Sequence, residues 1–372
     1  MIRIGITGQS GFIGTHLSNA IKLNPSEFEL INFNDDFFEN EARLDLFVEK
    51  CDVIVHLAAL NRHNDSEVIY KTNILLVKKL VLSLEKTKSK KHVIFSSSTQ
   101  ENKENLYGKS KKDGRVIFEK WAQSSNNLFT GMLIPNVFGP FGNPYYNSVI
   151  STFSFQLIQN IETKIEIDGK LNLIYIDELI NEFLKKAKNS ISESSYIVPH
   201  TSISSVSEIL NLLKYFKKEY VVKGNIPILN SNYKLNLFNT FRSFIDLNNH
   251  FPFKLKENKD NRGAFVEIIR LGIGGQFSFS TTNPGITRGN HFHTRKIERF
   301  TVIKGKALIQ LRKIGTNKIY EFRLDGKIPS FVDMPIWYTH NIKNIGDEEL
   351  LTNFWINEPY DPNNSDTFFE NV

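Results

Sequence analysis

A single cysteine, Cys51, stands in a chain of 372 residues. That excludes an intrachain disulfide and a thiolate zinc knuckle. With no export signal, so little cysteine fits the reducing cytoplasm, which is the expected compartment. Cys51 comes just before the apolar run Val53-Ile54-Val55 and is expected to pack as a small buried hydrophobe. Long hydrophobic runs are missing too. None approaches the roughly 20 residues that cross a bilayer, so no membrane partner is expected. The opening stretch Met1–Gly8 breaks at Gly8, too soon for a signal peptide. Charge of one sign is nowhere massed: 46 Lys and Arg against 40 Asp and Glu leave +6, which suits a small anionic ligand as well as a nucleic acid. The tightest basic run, Lys88-Ser89-Lys90-Lys91, reads as a solvated helix-to-strand loop, so no nucleic-acid partner is expected.

What is present is ordinary globular material. A content of 40% hydrophobic and 23% charged residues excludes global disorder. At roughly 100–200 residues per domain the length fits two domains. Up to residue 200, short apolar strands (Ile2–Thr7, Glu29–Phe33, Asp52–Leu57, His92–Ser96, Phe129–Ile134) alternate with helical stretches (Gly14–Leu23, Glu67–Glu85, Ser110–Ser124). Continuous apolar strands between helices predict an α/β doubly wound parallel sheet covered on both faces. Leu179–Ala187, Val206–Phe216 and Leu235–Ile245 read as further helices. From Phe265 helix signals nearly vanish. Short alternating strands follow one another from Phe265–Arg270 to Leu350–Trp355, predicting an all-β jelly roll. The expected division is 1–245 and 246–372.

The first strand runs into Gly8-Gln9-Ser10-Gly11-Phe12-Ile13-Gly14 and then a helix. Glycines at this spacing allow a tight turn and a close backbone approach to a pyrophosphate, which then sits on the helix N-terminus. Gly8, Ser10, Gly11, Phe12, Ile13 and Gly14 are therefore candidate cofactor contacts. The residue that reads the ribose should end the second strand. Phe33-Asn34 stands there, offering neither the acid that suits NADH nor the arginine that suits NADPH, and Asp35 and Asp36 come one or two residues later. With Asn34 as the contact, NADPH is the working choice and NADH stays open. Further on, Tyr107 and Lys111 are four apart, one turn on a single helix face. An ammonium beside a phenol favours the phenolate and lowers the phenol's pKa. Such a tyrosine can protonate a carbonyl oxygen as hydride arrives. A strand ending in Ser96-Ser97-Ser98-Thr99 can supply a second hydroxyl to the same oxygen.

These features together resemble the extended short-chain dehydrogenases/reductases, Rossmann-type enzymes that act on nucleotide sugars. The likeness spans roughly residues 1–240. It implies catalytic roles for Ser98, Tyr107 and Lys111, with Ser97 or Thr99 as the fallback serine. It adds Leu57, Ala58 and Ala59, from His56-Leu57-Ala58-Ala59, and Asn73 to the cofactor side. It adds Asn136 of Asn136-Val137-Phe138-Gly139-Pro140 to the substrate side. Only eight residues separate Ser98 from Tyr107, fewer than most members have. Sugar dehydratases of this family carry Thr-Asp-Glu after the same strand. Ser98-Thr99-Gln100-Glu101 lacks the Asp, which argues against dehydration.

In the C-terminal half, Gly285, His291, His293, Glu298 and Gly305 match the first cupin motif at every position. His291 and His293 are two apart on a strand and share a face. The second motif is partly met by Pro335-Ile336-Trp337-Tyr338-Thr339-His340, with Trp337 where glycine is usual, so a different local turn is expected. His291, His293, Glu298 and His340 suit zinc, iron, manganese or nickel, and zinc is preferred for a non-redox role. Asp260-Asn261-Arg262-Gly263-Ala264-Phe265-Val266-Glu267 and Arg288-Gly289-Asn290-His291 also resemble nucleotide-sugar 3,5-epimerases of the cupin class. In metal-free members of that branch the counterpart of His291 is a base, so His291 is either ligand or base. Arg262 and Arg288 become candidates for the sugar diphosphate, which arginine binds bidentately. His63, His200 and His250 fall outside any pattern and are expected at the surface.

The whole chain resembles a family of bifunctional capsular-polysaccharide enzymes, a reductase fused to a cupin. In that family Tyr146 and Asn147, within Tyr145-Tyr146-Asn147-Ser148, follow the Gly-Pro motif. The resemblance implies a UDP-2-acetamido-2,6-dideoxy-4-keto-hexose epimerised at C3 and reduced at C4, and a cupin-mediated homodimer. The alternative is an NAD-dependent 4-epimerase or reductase whose cupin serves only metal-bound structural or dimerisation roles.

Overall fold

The computed structural model describes residues 1–88, 90–260, 263–266, 268–269, 274–358 and 361–372, with backbone alone for 257–260 and 263–266. Packing divides the chain into two compact units, 1–152 with 165–207, and 153–164 with 208–372. The first 205 residues form β1 (Ile2–Thr7), α1 (Phe12–Leu23), β2 (Phe28–Ile31), α2 (Glu41–Lys50), β3 (Val53–His56), α3 (Ser66–Thr87), β4 (His92–Ser98), α4 (Leu106–Ser125), β5 (Leu128–Ile134), β6 (Asn136–Phe138), α5 (Val149–Ile158), β7 (Lys170–Tyr175), α6 (Ile176–Lys188), β8 (Glu193–Ile197) and β9 (Ser202–Ser205).

Six strands make one parallel sheet in the order β2-β1-β3-β4-β5-β8, the doubly wound α/β architecture expected. Every residue of β3 is buried, as continuous apolar strands between helix layers require. The strand order reverses between β1 and β3, which opens a crevice at the carboxyl ends of those strands. Phenylalanine fills much of the core: Phe33 and Phe47 meet edge to face at 4.9 Å, and Phe95, Phe118 and Phe129 extend the cluster. Cys51 is fully buried in it, and burial pushes its thiol up to about 12. Helix α2 is an addition to the sequence reading. It is only ten residues long, and Asn40 starts it by accepting from the Arg43 amide at 3.1 Å. The basic run needs a correction. Lys88 and Lys90 are exposed and Ser89 lies outside the described residues, but Lys91 is buried and donates to the carbonyls of Glu49 and Cys51.

The chain continues with α7 (Val206–Phe216), a π-helical stretch over Lys217–Val222, α8 (Asn232–Arg242) and α9 (Leu247–His250). Strands then dominate: β10 (Phe253–Lys254), β11 (Glu257–Asp260), β12 (Gly263–Val266), β13 (Gln276–Thr282), β14 (Thr287–Phe292), β15 (Glu298–Lys304), β16 (Lys306–Lys313), β17 (Ile319–Asp325), β18 (Ser330–Met334), β19 (Tyr338–Asn344), β20 (Leu350–Ile356) and β21 (Phe368–Phe369). Two five-stranded antiparallel sheets, β10-β18-β15-β20-β13 and β17-β16-β19-β14-β21, share a core that includes Val302, Ile309, Phe322, Phe331 and Ile342. This is the all-β jelly-roll class expected. The strand expected over Phe265–Arg270 overlaps β12, while residues 267 and 270 lie outside the described residues. Among the described residues no helix is long and apolar enough to cross a membrane.

Within this second unit the helical residues after 208 are tied to the sheets by one buried polar cluster. Arg299 donates to both carboxyl oxygens of Asp333, at 2.8 and 3.0 Å, and to the Gly224 carbonyl at 2.8 Å. The Tyr220 hydroxyl donates to Asp333 at 2.6 Å. Burial pushes the Asp333 carboxyl up, but Arg299 outweighs it and holds it below the usual range. His250 corrects an expectation: it is half-buried, its ring 4.6 Å from Phe251 and 5.7 Å from Tyr220. His63 and His200 are exposed. Asp333→Ala leaves Arg299 buried without its partner, and should cost about 3–5 kcal/mol. A fall in the urea midpoint of the second unit's transition measures it.

Candidate functional site

In the first unit a cleft of about 750 Å³ lies at the carboxyl ends of β1, β3, β4 and β5. The turn from β1 into α1 forms one wall. A Cβ on Gly14 would stand 2.3 Å from the Gly8 carbonyl oxygen, so only glycine fits there. Gly11 is the N-cap of α1 and no side chain caps the helix, so its first amides face the cleft ready for an anion. The glycine cradle and free amides fit a dinucleotide pyrophosphate. Gly8, Ser10, Gly11, Phe12, Ile13, Gly14, Leu57, Ala58 and Ala59 all line the cleft. Asn34 does not. Asp35 and Glu39 stand in the wall instead, on a 3₁₀ turn over Asp35–Glu39 that three residues separate from the end of β2. Asn73 is also absent from the wall. Its amide clamps Leu60, accepting from the Leu60 amide at 2.7 Å, and donates to the Ser110 hydroxyl at 3.0 Å.

Ser98 and Tyr107 meet deeper in the cleft. Ser98 is the last residue of β4; its hydroxyl accepts from the Gln100 amide and, beside Tyr107, pulls the phenol down against the larger effect of burial. Ser97 is engaged elsewhere, donating to Glu101. Glu101 in turn pairs with Arg115 at 2.9 Å, so its carboxyl is turned away into the protein. Asn105 caps α4 by accepting from the Gly108 amide at 2.7 Å, which starts the helix at Leu106, four residues earlier than expected, and brings both Tyr107 and Lys111 onto it. Lys111 donates to the Ser96 carbonyl at 3.0 Å and lies 5.8 Å from the Tyr107 ring centre. The protonation balance differs from expectation. Burial pushes the phenol up to about 12 and the Lys111 ammonium down to about 8, so burial outweighs the expected pull of the lysine. Asn136, Tyr146 and Asn147 line the outer part of the cleft.

In the second unit His291, His293, Glu298 and His340 converge, their ligand atoms all within 4.8 Å of one another. Glu298 Oε2 lies 3.1 Å from His293 Nε2, 3.0 Å from His340 Nε2 and 3.9 Å from His291 Nε2. Ligands about 2.0–2.2 Å from one tetrahedral ion stand at about this separation from each other. His340 is fully buried and its Nδ1 contacts the Tyr338 carbonyl, while its Nε2 makes no hydrogen bond. A buried imidazole nitrogen 3.0 Å from a carboxyl oxygen, without hydrogen-bond geometry between them, fits a cation held by both. Burial pulls His293 down, but Glu298 more than offsets it and the imidazole stays above its usual range.

Strand β14 brings its residues to this centre through a bulge. Arg288 pairs with Ile342 and His291 with His340, with the register shifted at Gly289 and Asn290. Three apart on a regular strand, Arg288 and His291 would face opposite ways. The extra residue puts both on the side that carries His340 and Ile342. A Cβ on Gly289, where φ is +101°, would meet the His340 carbonyl oxygen at 2.8 Å. Trp337 corrects another expectation. It keeps the left-handed turn, with φ +61°, that glycine would take. Its amide donates to the His293 carbonyl at 2.7 Å and its ring stacks on Phe292. Arg262 lies outside the described residues.

Residues 4–195 match the NAD dependent epimerase/dehydratase family, and residues 258–368 match the polysaccharide biosynthesis C-terminal domain. The chain belongs to the NAD dependent epimerase/dehydratase family. The family is nicotinamide-dependent, in keeping with the glycine cradle. A Pseudomonas aeruginosa relative, UDP-2-acetamido-2,6-beta-L-arabino-hexul-4-ose reductase, is 30% identical over 99% of this chain and 98% of its own. The capsular polysaccharide assembling protein CapF from Staphylococcus aureus is 32% identical, with both chains fully covered and a TM-score of 0.64. A Thermotoga maritima UDP-glucose 4-epimerase, 22% identical, shares the fold over 58% of this chain and 83% of its own, with a TM-score of 0.52. For this epimerase/dehydratase member, Gly14→Ala must push the Gly8 carbonyl out of the cradle. Dinucleotide affinity should fall at least about tenfold, read by nicotinamide fluorescence titration, since the backbone approach is what the third glycine allows.

Proposed function

We propose that the chain modifies a UDP-2-acetamido-2,6-dideoxy-4-keto-hexose in two steps. A cupin domain beginning near residue 245 inverts C3, and the N-terminal domain reduces the C4 ketone. The product is a UDP-6-deoxy-talose-type amino sugar on the route to UDP-N-acetyl-L-fucosamine, for capsule or O-antigen synthesis. The observation that carries this reading is that Ser98, Tyr107 and Lys111 line the same cleft as the glycine cradle. The Pseudomonas relative, named as a reductase of such a sugar, supports it. We place the enzyme in the cytoplasm as a homodimer, on its single cysteine and the cupin likeness.

When bound, a nicotinamide dinucleotide supplies the hydride that reaches C4. Gly8–Gly14 hold its pyrophosphate. Asp35 and Glu39 bear on the choice between NADPH and NADH. Their carboxyls accept from a ribose 2′-hydroxyl, whereas a 2′-phosphate needs Lys79 to leave Glu39, now at 3.1 Å, or Arg43 to leave Asp36, now at 2.8 Å. Ser98 and Tyr107 hydrogen-bond the C4 oxygen, and Tyr107 gives it a proton as the carbon is reduced. Lys111 steadies the phenolate left behind. Asn136, Tyr146 and Asn147 hold the sugar side. In the cupin, a divalent ion held by His293, Glu298 and His340, zinc for preference, would polarise the 4-ketone and so acidify the C3 proton. His291 is either the fourth ligand or the base that moves this proton. Arg288, on the same face of the sheet, and Arg262 take the diphosphate.

Tyr107→Phe should lower reduction by about 10²–10⁴-fold while C3 deuterium exchange in D₂O, followed by NMR, continues. Equal loss of both would refute the division of labour. In wild type, reduction should hold below pH 8 and decline as Lys111 loses its proton through about 8. Lys111→Met should lack that limb. His291→Ala separates the two roles: a ligand's loss weakens zinc binding, whereas a base's loss stops exchange with zinc affinity intact. A 4-epimerase with permanently held NAD and a structural cupin would turn over with no net NADPH consumption, so stoichiometric oxidation of NADPH at 340 nm counts against that alternative.

A further inference from the structure

The last ten residues belong to no motif that bears on the metal or the cofactor, yet they run beside the imidazole–carboxylate centre. Strand β21 pairs with β14, Phe369 opposite His291 and Phe368 opposite Phe292. Just before it, Asp366 is buried, with its backbone in the left-handed region at φ +43°. One carboxyl oxygen accepts from the Thr294 amide at 3.0 Å and the Thr294 hydroxyl at 2.6 Å. The other accepts from the amides of Arg295 and Lys296, both at 3.0 Å. Three successive amides thus close around one carboxylate, an anion-holding concavity filled from within the chain. Those amides form the turn between His293 and Glu298. The main-chain carbonyl of the same aspartate contacts His293 Nδ1 at 2.5 Å.

We propose that Asp366 is a positioning residue for metal at this centre. An imidazole that ligates through Nε2 must keep its proton on Nδ1, and an acceptor there fixes both tautomer and ring plane. The Asp366 carbonyl is that acceptor. The Asp366 side chain fixes where the carbonyl stands, by holding the turn that spaces His293 from Glu298. The inference rests on the metal reading given above and deepens it. It makes the C-terminal segment part of the site.

The test uses the full-length protein, stripped of metal and titrated with zinc against a chromogenic chelator, and with cobalt by visible absorption. Asp366→Ala should lower zinc affinity about 10–100-fold, the usual effect of losing an outer partner of a ligating histidine, and should shift the cobalt d–d bands at saturation. Asp366→Asn tolerates the left-handed backbone and keeps an acceptor for Thr294, so it should lose less. Thr294→Val removes one of the four donors and should weaken zinc binding by a smaller factor still. A purely structural role would lower the unfolding midpoint and leave zinc affinity and cobalt bands unchanged, which would overturn the inference. If Asp366→Ala does not fold, Thr294→Val decides, and wild-type affinity in that variant overturns it equally. A wild-type chain that competes for neither ion overturns the metal reading, and this inference with it.

Discussion

The glycine turn at the start of the chain is a constraint of space before it is a constraint of chemistry. With 2.3 Å between the Gly8 carbonyl oxygen and any Cβ at position 14, β1 can feed α1 only if no side chain stands there. The helix then begins without a side-chain cap, so its amides stay available to a ligand. The cleft opens beside the start of that helix, and Ser98 and Tyr107 line it as well. The second unit repeats the device in a different fold. Gly289 lies against the His340 carbonyl, and the bulge it permits turns Arg288 and His291 to one face. Each site is opened by a backbone that comes closer to its neighbour than a side chain allows.

Burial then sets the chemistry. The first unit keeps Tyr107 protonated, because a half-buried phenol resists ionisation, and brings Lys111 down to about 8 because its surroundings give an ammonium little solvation. In the second unit the same penalty falls on a carboxylate among imidazoles. Burial alone would raise Glu298, but His293 and His340 hold it well below the usual carboxylate range. Neutral acid in one place and buried anion in the other are opposite outcomes of one solvation cost, decided by which partners are within reach. Glu101 shows the boundary of that logic. Paired with Arg115 and turned inward, it is unavailable at the cleft for acid–base work on a sugar, in line with the missing Asp beside it.

Much of this was legible in residue order. Strand–helix alternation and later strand alternation reported the two fold classes, because periodicity records which faces are buried. The glycine spacing, Tyr107 with Lys111, and the histidine set were legible for the same reason: each is a short-range pattern whose geometry follows from one element. What escaped depended on contacts distant in sequence. Asp35 and Glu39 reach the cleft through a 3₁₀ turn that periodicity does not mark. That Ser97 is occupied also escaped: it donates to Glu101, which Arg115 holds in turn. Lys91 looked like a solvated charge because its carbonyl partners, Glu49 and Cys51, lie about forty residues earlier. Trp337 broke a glycine rule without breaking the turn, since the His293 carbonyl and the Phe292 ring hold it in place.

The cluster of Arg299, Asp333 and Tyr220 has a practical consequence for dissecting the protein. Helix-to-strand pattern and family match both suggest cutting ahead of the β-rich part, near 245 to 258. Such a fragment would begin after Tyr220 and Gly224 and so discard two hydrogen-bond partners of a buried guanidinium and carboxylate. A fragment starting at or before Glu208 keeps them. The imidazole–carboxylate centre of the second unit is therefore best studied on the longer piece, where a change reports on that centre and not on an exposed ion pair.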